Sequence, residues 1–113
     1  MDAETLKALK KSIKHWEGNA KADHVELAFV TSYHCALCDK FLVECDDLCI
    51  GCPVADKTEQ PCCEGSPWEA AYNARYYWYI KPNDIARRDA FRAAAQAEVD
   101  FLKSLLPKEG EAQ

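Results

Sequence analysis

The sequence predicts a mostly α fold, a small single domain of about three helices around an irregular zinc-knuckle segment. Three observations predict it. Apolar residues recur at helical spacing near both ends of the chain. Residues 35–54, CALCDKFLVECDDLCIGCPV, hold five of the seven cysteines with little periodicity. A length of 113 residues supports one modest core but not two. The expected parts of this one domain, 1–113, are an N-terminal helix over 1–18, a zinc-binding segment over 35–66, a helical part over 67–106 and a frayed tail over 107–113.

The first helix rests on Leu6, Leu9, Ile13 and Trp16, spaced by three and four, with Asp2 as N-cap and Gly18-Asn19 as its end. Lys7, Lys10, Lys11 and Lys14 lie mostly off that stripe. The alternation of Val25, Leu27 and Phe29 suits a short strand near 25–30, with a helical turn as the alternative. The sequence Gly65-Ser66-Pro67-Trp68-Glu69 reads as a helix start. Ser66 would be the N-cap, Pro67 would sit in the first turn, and Glu69 would close a capping box. That helix is expected to set Trp68, Tyr72, Tyr76 and Tyr79 on its core face, leaving Tyr77 and Trp78 to the side, where the final helix or a partner would cover them, with Trp78 assigned to self-association or partner binding. Pro82-Asn83-Asp84 interrupts it, and a last helix from about Ile85 to Leu106 should bury Phe91, Ala95, Val99 or the stem of Glu98, Leu102 and Leu106.

The cysteines carry the chemistry. Cys35-x2-Cys38 and Cys49-x2-Cys52 are two knuckles, each able to present two sulfurs from a tight turn, and tetrahedral zinc takes four such donors. Cys63 competes with Cys49 for one place. Cys45 lies in an apolar context that suits packing, and Cys62 adjoins Cys63 too closely to share its centre. An odd cysteine count and the absence of an apolar leader near Met1 disfavour a disulfide framework and imply a cytoplasmic, reduced chain. An iron–sulfur cluster could use as many thiolates, but the C-x2-C-x2-C run is missing. His24-Val25-Glu26 followed by Cys49-x2-Cys52 imitates a zinc deaminase signature, although Leu48 stands where proline belongs. A small zinc or redox enzyme, with Glu26 as proton shuttle, is therefore kept as an alternative.

Charge narrows the partners. Residues 1–34 hold five acids and five bases, and residues 67–113 hold seven of each. The whole net of −5 falls in 35–66, where seven acids, Glu44, Asp46 and Asp47 among them, meet only Lys40 and Lys57. Such a segment repels nucleic-acid phosphates and suits a basic protein surface. The alternative is nucleic-acid binding through basic helix faces, by Lys7, Lys10, Lys11 and Lys14 or by Arg87, Arg88 and Arg92. No apolar run is long enough to span a membrane.

The elements SIKHWE (12–17), CALC (35–38), CIGCPV (49–54) and CEGSPW (63–68) together resemble a pattern of small cysteine-rich proteins of phages and prophages. The resemblance covers about residues 12–68. It implies structural zinc and a bacterial host, with no activity attached, and it favours Cys63 over Cys62 because Cys63 begins the C-x-G-S-P element. The chain departs from the pattern by adding Cys45 and Cys62, by Trp68 where tyrosine is usual, and by the apolar VELAFV before the first knuckle. The expectation is a zinc-stabilised protein-binding module acting on a host protein with a basic surface, such as a nucleic-acid-handling or defence factor. Its zinc ligands would be Cys35, Cys38, Cys49 and Cys52, with Cys63 as the alternative. Its contact residues would be Glu44, Asp46, Asp47, Tyr77 and Trp78.

Overall fold

The computed structural model describes residues 1–30, 52–58 and 66–107. Its elements are α1 (Ala3–Asn19), a 3-10 turn (Val25–Leu27), α2 (Pro53–Thr58), α3 (Trp68–Ile80) and α4 (Ile85–Lys103). The fold is mostly helical, and the described residues contain no strand.

Helix α1 begins where its cap dictates. Asp2 is extended, and its carboxylate accepts the N–H of Thr5 at 2.7 Å, satisfying one of the orphan donors of the first turn. Leu9, Ile13 and Trp16 are buried, joined by the small residues Thr5, Ala8 and Ser12, whereas Leu6 is only half-buried. The four lysines are all exposed.

The expected strand near 25–30 does not form. A 3-10 turn at Val25–Leu27 shifts the period, so Val25, Ala28 and Val30 are buried while Leu27 and Phe29 face out. The carbonyls of this segment find side chains where a strand would find a neighbour. Arg75 donates to the carbonyls of Ala28 and Val25, the latter at 3.1 Å. His15 Nε2–H and the Asn19 amide donate to the Phe29 carbonyl at 2.7 and 3.0 Å. Trp68 Nε1–H donates to the Val30 carbonyl at 2.7 Å.

Helices α3 and α4 form a hairpin across residues 81–84, a connection short enough to make them antiparallel neighbours. Ser66 Oγ accepts the N–H of Trp68 at 3.3 Å, and α3 starts one residue later than its capping signature suggests. At the turn, Trp78 Nε1–H donates to Pro82 O at 3.1 Å, and Arg87 donates to the carbonyl of Tyr77 in the last turn of α3 at 2.8 Å. Asp84 caps α4 by accepting the N–H of Arg87 at 3.2 Å. Helix α4 packs on both α1 and α3, burying Phe91, Ala95, Glu98, Val99 and Leu102. Beyond Lys103 the chain tightens into i→i+3 turns through Leu106, which is half-buried. The core thus runs along α4, with Leu9, Ile13 and Trp16 contributed by α1 and Ala71 and Trp78 by α3.

Candidate metal centre and interaction surfaces

Of the expected zinc ligands, Cys52 belongs to the described residues; Cys35, Cys38, Cys49 and Cys63 lie outside them. Cys52 is buried beside the core residue Val54, and Pro53 opens α2 directly after it. Glu44, Asp46 and Asp47 also lie outside the described residues. Among the described residues, no group of three His, Cys, Asp or Glu side chains comes together.

What the structure adds is the frame around the cysteines. The bond from Trp68 to Val30 joins two points 38 residues apart, so the chain between them leaves and returns at the N-terminal end of α3. Cys35 is five residues beyond Val30 and Cys63 five before Trp68. Five residues reach at most about 18 Å, which sets an outer limit on how far either thiol can lie from the tie. Cys52 and Val54 anchor the middle of the same stretch on the core. Loop closure is an entropic cost that a metal clip must meet, and a scaffold that already holds the ends lowers it. The thiol chemistry of the proposed donors suits zinc; of them the described residues include Cys52, and Cys49 and Cys63 stay rivals for one place.

His24 and Glu26, the deaminase look-alike, are both exposed at the 3-10 turn. The catalytic glutamate of such enzymes works in a pocket around a flipped base, which an exposed turn does not supply. His15 is occupied as the donor to Phe29 O.

Two surface expectations need correction. Trp78 is not at a surface. Its ring is fully buried, 5.6 Å from the ring of Phe91, and its indole N–H is satisfied by Pro82 O. The expected core face of α3 is inverted as well. Tyr72, Tyr76 and Tyr79 are exposed, while Ala71, Trp78 and partly Ala74 pack inward. The cause is that α3 is apolar nearly all round, so periodicity cannot choose its face, and small alanines let α3 approach α4 closely. Trp68 is half-buried as expected of a core residue, stacked at 5.3 Å on Tyr72. Tyr77 is exposed, with the Arg87 guanidinium 6.0 Å above its ring.

The basic faces divide. Arg87 is paired with Asp84 at 3.6 Å, Arg88 with Asp89 at 3.1 Å, and Arg92 with Asp23 at 2.6 Å. Arg92 also donates to the carbonyls of Ala22 and Lys21, at 2.9 and 3.3 Å. Arg92 ties α4 to residues 21–23 and Arg87 ties it to the end of α3, whereas Arg88 pairs with its own neighbour; the lysines of α1 form an exposed cationic face. Two open hollows flank the 25–30 segment. One, about 250 Å³, lies between Ala28–Val30 and the tyrosines of α3. The other, about 420 Å³, lies between the end of α1 and Leu27 and Phe29.

No helix of the described residues is long and apolar enough to cross a membrane. No family model, curated protein or solved structure matches the chain.

Proposed function

We propose that this chain is a zinc-stabilised protein-binding module, an accessory protein of a phage or prophage that acts in the bacterial cytoplasm on a host protein with a basic surface. A nucleic-acid-handling or defence factor is the kind of host target this reading has in mind. The observation that supports it most is the tie from Trp68 to Val30, which tethers the cysteine-bearing stretch at both ends while Cys52 anchors it on the core. Zinc in a closed set of four thiolates stabilises structure and leaves no coordination position for a reacting water. The stretch it would shape carries the entire net charge of the chain, −5, and so is suited to presenting an acidic surface.

Glu44, Asp46 and Asp47 are the acids assigned to the contact. The competing nucleic-acid reading is weakened by the engagement of Arg87, Arg88 and Arg92 within the fold. It retains Lys7, Lys10, Lys11 and Lys14. The test is capture of partners from bacterial lysate by the zinc-loaded full chain, beside a variant carrying Glu44→Gln, Asp46→Asn and Asp47→Asn. Recovery of a basic protein whose binding weakens with salt and with the triple neutralisation supports the reading. Salt-dependent DNA binding lost on changing the α1 lysines would replace it.

A further inference from the structure

Helix α3 has two apolar faces, and the fold uses one. Ala71 and Trp78 point into the core, whereas Tyr72, Tyr76, Tyr79 and Ile80, spaced as i, i+4, i+7 and i+8, form a stripe on the other side. Their exposures are 48, 59, 63 and 51 %. A helix that is hydrophobic all round is ordinarily covered all round. No charged residue interrupts the stripe between Tyr72 and Ile80, and Arg75, which lines the same hollow as the three tyrosines, is folded down onto the carbonyls of Val25 and Ala28. Aromatic residues without charges are the composition of an interface centre. A nucleic-acid stacking platform would instead need free cations alongside its rings.

We propose that this stripe is a homodimer interface in which α3 packs antiparallel on α3 of a second copy. The argument is self-complementarity. A two-fold contact sets residue i against j and j against i. With Tyr76 near the axis, Tyr72 faces Tyr79 and Ile80 of the partner subunit on both sides, so every pairing is apolar with apolar. With tyrosines at about 150–250 Å² each, the exposed stripe offers roughly 350–500 Å² per copy, or about 700–1,000 Å² across a pair. Only the upper end reaches the lower bound for a specific interface, so the dimer is a weak one, forming at micromolar concentration or above. This contact does not depend on the acidic segment or on its basic partner.

The experiment is sedimentation equilibrium of the zinc-loaded full chain from about 5 to 500 µM, in low and high salt. The expected result is a reversible monomer–dimer equilibrium that salt does not weaken, because apolar burial drives it. Tyr76→Arg should raise the dimer dissociation constant at least about tenfold, since the side chain counts twice. Tyr77→Ala, outside the stripe, should leave it unchanged, and circular dichroism should show both variants folded. A monomer throughout the range would overturn the proposal and give the stripe to another partner. So would a dimer that survives Tyr76→Arg combined with Tyr72→Arg.

Discussion

Replacing Trp78 by alanine distinguishes a core side chain from an interface anchor. The ring is wholly buried in one subunit, packed against Phe91 and hydrogen-bonded to Pro82 O. Truncating a buried tryptophan costs about 3–5 kcal/mol through lost transfer energy and the cavity left behind. The lost indole bond adds at the low end of about 0.5–1.5 kcal/mol, because Pro82 is exposed and its carbonyl can turn to water. A total near 4–5 kcal/mol is a large share of a domain stability of about 5–15 kcal/mol. At about 4 °C per kcal/mol for a chain of this size, the midpoint should fall by about 15–20 °C. Thermal and urea unfolding followed by far-ultraviolet circular dichroism would measure it. Trp78→Phe, which keeps most of the ring, should lose only about 1–2 kcal/mol. A Trp78→Ala variant within about 0.5 kcal/mol of wild type, the range of ordinary surface changes, would refute the packing described for α3.

Three further outcomes are expected, the first from the cysteine spacing and the other two from the structure. Cys35→Ser, Cys38→Ser and Cys52→Ser should each lose bound metal by mass spectrometry, whereas Cys45→Ser and Cys62→Ser should keep it; full occupancy in Cys38→Ser would contradict the ligand assignment. Arg75→Met strips the donor from the carbonyls of Val25 and Ala28 and should cost about 1–3 kcal/mol, while Arg88→Met, at an exposed pair, should cost under about 1 kcal/mol. Equal urea midpoints for those two variants would show that the 25–30 segment does not depend on its clamp. Asp84→Ala removes the cap of α4 and should cost about 1 kcal/mol, read in the same titration, and no change there would disprove the capping role.

The legible parts of this fold are those decided locally. Asp2 announces its helix and Asn83-Asp84 narrows the start of α4 to two candidate caps, of which the structure uses Asp84, because a cap is a contact between neighbours in sequence. The stripes of α1 and α4 are readable because each alternates apolar with charged residues at helical spacing. Helix α3 is different, since Trp68, Tyr72, Tyr76, Tyr77, Trp78, Tyr79 and Ile80 surround it with apolar side chains. Its buried face is selected by where Ala71 and Ala74 meet α4, a tertiary fact. The 25–30 segment misleads for a related reason. Its alternation imitates a strand, but its carbonyls are satisfied by His15, Asn19, Trp68 and Arg75, residues 10 to 50 positions away that no local pattern connects. The cysteine spacing was legible as donor chemistry. The tie between Val30 and Trp68, 38 positions apart, was not.

The central claim is that zinc holds the cysteine-bearing stretch in one shape. Structural zinc contributes about 10–16 kcal/mol in small metal-dependent peptides, comparable with or larger than the whole net stability of a domain. The direct measurement is native mass spectrometry of the purified full chain, followed by thermal unfolding before and after a strong chelator. The account predicts one zinc per chain, loss of cooperative unfolding when it is removed, and recovery when zinc is returned. A metal-free chain that unfolds with the same cooperativity and midpoint as the untreated sample would contradict it.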